Sequence, residues 1–171
     1  VRKIVTLMIV ILLIMLIVAA AYSFNTRSGE DPIDISYKGY AYMPGNSFYS
    51  REVTIALKGS YEAENDSFTG SMSVNRVTFT DCSLSPYSGL VCSYEGGKIR
   101  SGTVYFSSGL KQLSILIGKG PLYSAIEESG AYNGDLVITI PSFDRASALL
   151  IHDMLKNEFQ SRQQTVKVPY S

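Results

Sequence analysis

The chain has 171 residues, with 15 basic and 15 acidic side chains, one histidine, two cysteines, 12 tyrosines and no tryptophan, a size that suits one domain plus a short appendage. Arg2 and Lys3 precede an apolar run, so of the 15 basic residues 13 remain to face 15 acids in the rest of the chain. That balance excludes the basic stripe with which nucleic-acid binders neutralise phosphates, and a single histidine excludes metal or triad schemes that need a second one.

Residues 4–21 read IVTLMIVILLIMLIVAAA, with Thr6 as the only polar side chain. Eighteen helical residues reach about 27 Å, close to the hydrocarbon thickness of a bilayer. Arg2 and Lys3 mark a cytoplasmic end, and Tyr22 and Phe24 supply interfacial aromatic rings at the other. Residues 1–22 are therefore expected to be a single transmembrane anchor in the plasma membrane, with everything beyond it outside the cytoplasm. The Ala19-Ala20-Ala21 run also fits a signal-peptidase site, which would secrete the chain after cleavage near Ala21; the length of the apolar run favours retention.

Residues 23–34, polar and interrupted by Gly29 and Pro32, read as a spacer. From residue 35 the period becomes two: Tyr37, Tyr40 and Tyr42 lead into a Met43-Pro44-Gly45-Asn46 turn. At residues 52–61, Val53, Ile55, Leu57, Gly59 and Tyr61 alternate with Thr54, Ala56, Lys58 and Ser60, which predicts a strand with one buried face. Phe68, Gly70, Met72 and Val74 resume the alternation after a short acidic loop, completing a hairpin. Further strands are expected at residues 76–82, 90–94, 99–106 and 113–117, separated by glycine turns. Residues 118–134 read as a long loop with one helical turn at 124–129, and residues 135–140 as a final β-branched strand stopped by Pro141.

Beyond Pro141 the period becomes 3.6. Ser142 or Asp144 can cap a helix over residues 145–161, with Ala146, Leu149, Leu150, Met154, Leu155 and Phe159 as its apolar stripe. Residues 163–171 form a tail in which Val166 and Val168 fit either an added edge strand or an unpaired end. The expected fold class is thus α+β: a transmembrane helix, then an extracytoplasmic domain over residues 35–162. That domain is expected as a mainly antiparallel meander or open barrel-like sheet of six or seven strands, with the C-terminal amphipathic helix packed on it.

Cys82 and Cys92, ten positions apart around a Ser-Pro-Tyr-Ser-Gly stretch, are placed to bridge neighbouring strands in an oxidising compartment. A redox or metal dithiol would need a Cys-x-x-Cys pair or more ligands, and neither exists. His152 reads as an ordinary helix residue, and no Gly-x-Ser-x-Gly elbow accompanies the serines. Most acids, including Glu62, Glu64, Asp66, Glu127 and Glu128, fall in turns, where they keep a surface soluble. Tyr37, Tyr40, Tyr42 and Tyr49 crowd the start of the domain and form a possible ligand surface for sugar rings or a protein, or else fill the pleated face against the next strand. Asn65-Asp66-Ser67 matches a glycosylation acceptor if the host is eukaryotic.

Two segments, NDSFTGSMSVN at residues 65–75 and YEGGKIRSGTVYFSSGLKQLSI at residues 94–115, resemble parts of uncharacterised single-anchor envelope proteins of Gram-positive bacteria. The resemblance implies a cell-envelope setting and brings no activity or site residues. Together these readings lead to a non-enzymatic, membrane-anchored extracytoplasmic domain that needs no cofactor or metal and meets a protein or cell-wall partner. The alternative is carbohydrate or cell-wall binding through tyrosines, or hydrolysis through paired carboxylates.

Overall fold

The computed structural model describes residues 14–15, 30–100, 102–127, 129 and 132–166. Among the described residues nine antiparallel strands form one sheet: β1 (Glu30–Tyr42), β2 (Ser50–Glu62), β3 (Ser67–Val74), β4 (Val77–Ser85), β5 (Gly89–Tyr94), β6 (Gly97–Arg100), β7 (Val104–Phe106), β8 (Leu113–Ile117) and β9 (Leu136–Ile140). A short helix α1 (Pro121–Ser124) lies in the loop before β9, and a long helix α2 (Arg145–Val166) follows it. The spatial order is β6-β5-β4-β3-β2-β1-β9-β8-β7.

Two features correct the expected fold. The last strand enters between β1 and β8, so the sheet is not a meander, and the described residues are mostly a curled β half-barrel with one long helix. Among the described residues no helix is long and apolar enough to cross a membrane; the segment expected to do so lies outside them, apart from Ile14 and Met15. The run at 99–106 is also not one strand. It splits at Gly102 into β6 and β7, which occupy opposite edges of the sheet.

That split shows why the sheet curls. Nine strands laid flat would hold their outer edges roughly 38 Å apart, yet the link from Arg100 to Val104 reaches at most about 14 Å. Two strands approach closely at a glycine contact. Gly59 of β2 faces Gly70 of β3, which in turn faces Cys82 of β4. A Cβ at Gly59 would come within 2.0 Å of the Thr69 carbonyl oxygen. Register shifts follow at once, between Gly70 and Met72 on β3–β4 and between Thr80 and Ser83 on β4–β5, and such bulges increase local twist.

The inner face of the half-barrel is filled by large side chains, including Tyr61, Phe68, Met72, Phe79, Leu84 and Leu90, each at most 4% exposed. Cys82 and Cys92 form a disulfide within this layer, between β4 and β5. Leu122, Tyr123 and Ile126 of the 118–134 segment complete the same cluster. The segment is held by Glu127, which accepts hydrogen bonds from the Tyr49 hydroxyl at 2.7 Å, Ser129 at 2.8 Å and Arg51 at 3.2 Å. At the opposite end, the Gly109 N–H donates to the Tyr61 hydroxyl oxygen at 2.8 Å, and Tyr61 donates to Asp66.

Helix α2 lies on the outer face. Asp144 caps it, accepting the Ser147 N–H at 2.7 Å. Ala148 packs with Tyr42 and Val137, His152 and Phe159 both meet the Tyr105 ring on β7, and Arg162 reaches Asp66 in the β2–β3 turn at 3.3 Å. The helix therefore runs across β9, β8 and β7 and on toward the far side of the curl. Its contact face is Ala148, Leu149, His152, Leu155 and Phe159, while Leu150 and Met154 point to solvent.

Replacing Gly59 with Ala forces a methyl group against backbone, and we expect a loss of about 1–3 kcal/mol, read as a lower urea midpoint with unchanged slope. An unchanged midpoint would mean that the curl does not depend on this contact.

Candidate ligand groove

Because β9 has five residues and all are buried, its two sides serve different neighbours. Leu136, Ile138 and Ile140 belong to the inner core, whereas Val137 and Thr139 lie on the side covered by α2. On β8, Leu113, Ile115 and Ile117 likewise join the inner core, leaving Ser114 and Leu116 toward the helix. Ser114 and Thr139 are 0% exposed and 3.3 Å apart through their hydroxyl oxygens. Buried hydroxyls need partners, and the helix supplies one: Nδ1 of His152 sits 2.7 Å from Ser114 Oγ.

Beside this contact a groove of about 530 Å³ opens between α2, the ends of β8 and β9, and the turn after β1. Tyr105, Leu116, Val137 and Met43 give it apolar walls, and Asn133, Asp135, His152 and Lys156 bring polar groups to it. Its size falls within the roughly 300–1,000 Å³ of small-molecule sites. Burial pushes the His152 pKa below its ordinary value, Lys156 acts in the same direction and Asp153 opposes them. The ring is therefore neutral at pH 7, with Nε2 the nitrogen left for a ligand. Asp135 already accepts a hydrogen bond from Tyr132. Lys156 is exposed, and among the described residues no carboxylate lies within ion-pair distance of it.

The arrangement limits the chemistry. A serine nucleophile must meet its substrate, but Ser114 has no exposed surface and lies beneath the histidine. Glu127, only 4% exposed, is held below the usual carboxylate range, chiefly by the Tyr49 hydroxyl and then by Ser129, with Arg51 contributing. An acid held ionised in this way does not donate a proton at neutral pH. Among the described residues, no group of three or more His, Cys, Asp or Glu side chains is arranged to hold a metal ion.

The four crowded tyrosines do not share one surface. Tyr37 packs against the inner core, and Tyr40 and Tyr42 lie on the outer side near α2. The Tyr42 phenol is pushed up to about 12 by burial, with Asp153 adding and Arg145 opposing. Tyr49 is likewise raised to about 12 by burial and by its hydrogen bond to Glu127. Of the acidic turn residues, Glu62 bonds Ser67 at 3.3 Å, and Asp66 is engaged by Tyr61, Ser108 and Arg162. The groove residues Tyr105, Asp135 and Lys156, and Ser114 beneath His152, carry no motif in the sequence. The one available signal was a serine inside the apolar strand Leu113–Ile117.

Comparison with protein-family models, curated proteins and solved structures finds no match for this chain. The site must therefore be read from its own chemistry.

The fold favours neutral His152, so below the ordinary value of 6.5 the unfolded chain binds the extra proton first. This contribution to stability is complete above about pH 6.5 and is lost as pH falls through that value toward the lower folded one. We expect His152→Gln to flatten the pH dependence of stability between about pH 7 and 5. A slope identical to that of the parent would assign it to other groups.

Proposed function

We propose that this domain is a non-enzymatic binding module of an oxidising, extracytoplasmic compartment, and that it takes a small amphipathic carboxylate into the groove beneath α2. The buried Cys82–Cys92 bond supports that compartment, since such bonds persist where thiols are not kept reduced. The ligand class follows from one juxtaposition: the cation of Lys156, free of carboxylate partners among the described residues, borders a floor of Leu116, Val137 and Tyr105. An apolar body would cover that floor while its carboxylate meets the ammonium group and His152 Nε2. Asp135 on the groove wall repels a second carboxylate and so favours monoanions. Catalysis is disfavoured because the only histidine is committed through Nδ1 to a serine with no route to solvent.

N-acetyl-valine and its carboxamide share one body and differ in charge, so they separate this reading from simple apolar capture. Titrated into the isotope-labelled protein, the acid should bind about tenfold more tightly, the size of one charge-assisted hydrogen bond. Amide shifts should centre on Leu116, Val137 and His152, and Lys156→Gln should erase the difference while leaving the melting temperature in place. Equal affinities for the two probes, or shifts centred elsewhere, would sink the proposal.

A further inference from the structure

The edge of β1 that faces β9 is only partly paired among the described residues. The strand has 13 residues, but its pairing with β9 covers only Tyr40, Ala41 and Tyr42. Just before that ladder the Ser142 N–H donates to the Lys38 carbonyl oxygen at 3.3 Å, and the Tyr40 N–H donates to Ser142 Oγ at 2.9 Å. Both contacts show that even-numbered residues of β1 aim their backbone groups toward the β9 side. The burial pattern keeps a strict alternation through Ile33, Ile35, Tyr37, Gly39 and Ala41, so no bulge changes that parity.

The backbone groups of Asp34 and Ser36, together with the carbonyl of Pro32, therefore point past the end of β9, where no strand among the described residues pairs with them. Pro32 lacks an N–H on this same side, so its place in a 13-residue strand breaks no ladder bond. The inner flank of the open edge carries Ile33, Ile35 and Tyr37, half-buried against the core cluster. The other side chains are exposed, and residues 30–36 contain Glu30, Asp31 and Asp34 but no basic residue; Asp34 is paired across to Lys58 of β2 at 3.6 Å, which leaves Glu30 and Asp31 as the uncompensated acids of this stretch among the described residues.

We propose that this edge of β1 accepts an extended, basic peptide segment of a partner protein as an added strand. Main-chain bonds to Asp34 and Ser36 would provide the ladder, and alternate apolar side chains would extend the stripe of Ile33, Ile35 and Tyr37. Lysine or arginine on the opposite flank would meet Glu30 and compete with Lys58 for Asp34, while Asp31 lies at the end of the apolar flank. The same acids disfavour a second copy of this chain, because two identical edges would bring like charges together, with Pro32 removing a donor from each.

The test uses the full chain and a synthetic peptide alternating valine with lysine, read by hydrogen exchange at the Asp34 and Ser36 amides. The expected result is protection of both amides on peptide addition, and binding at least about tenfold tighter than that of a valine–glutamate peptide. Binding should be lost when alternate backbone amides of the peptide are N-methylated, a control that leaves the protein untouched. Ser36→Pro should abolish binding with little change in melting temperature. The proposal fails if the two amides gain no protection or if the acidic peptide binds equally well. It also fails if both amides are already protected in the chain alone, which would assign the edge to a segment of this protein.

Discussion

The structure depends on a five-residue strand that has no exposed side. β9 supplies Leu136, Ile138 and Ile140 to the inner core and Val137 and Thr139 to the underside of α2. At roughly 1.5–3 kcal/mol for each fully buried aliphatic side chain, it anchors both layers. It also joins the two parts of the sheet, because β1 and β8 pair through it and not with each other. Without it, the half-barrel would divide into a β1–β6 sheet and a β7–β8 hairpin with no floor for the helix.

Polar groups define the geometry of the second layer. Ser142 donates to the Thr139 carbonyl at 2.7 Å and accepts the Tyr40 N–H, which turns the chain from β9 toward α2. Ser114 and His152 then meet under the helix. An apolar pair at these positions would tolerate sliding, whereas a hydrogen bond in a poorly solvated site has a narrow range of distance and angle. The groove opens where α2 passes Tyr105 and Leu116, and its polar groups come from the loop that leads into β9 and from α2 itself. The free edge of β1 has a related origin, since a strand of 13 residues beside one of five must overhang.

Several elements were legible for simple reasons. The alternation at Val53, Ile55 and Leu57 marks the buried face of β2 because one side of that strand is core and the other is wet. The cysteine spacing matched adjacent strands, and the bond is there. The helix after Pro141 was marked by its cap at Asp144, and Leu149, Leu155 and Phe159 of its expected stripe do face the sheet, but the rest of the contact face was misjudged. Leu150 is 73% exposed, while Ala148 and His152 face the sheet. Hydrophobicity favours leucine at a contact, but the close approach to Tyr42 and Val137 admits a small residue, and buried Ser114 requires a polar partner. The start of β1 was hidden because Pro32 and three carboxylates read as spacer, when they are residues that an unpaired edge tolerates.

By itself, the amino-acid sequence determined what local patterning can determine: the period-two strands, the turns between most of them, the C-terminal helix and the cysteine pair. Those features depend on side chains within a few residues of one another along the chain. Only the tertiary structure decided that β9 enters between β1 and β8, that Gly102 carries the chain from one sheet edge to the other, and that His152, Lys156 and Asp135 border one groove. Each of these depends on which distant surfaces are complementary once the sheet has curled, and no short-range period in the chain encodes that.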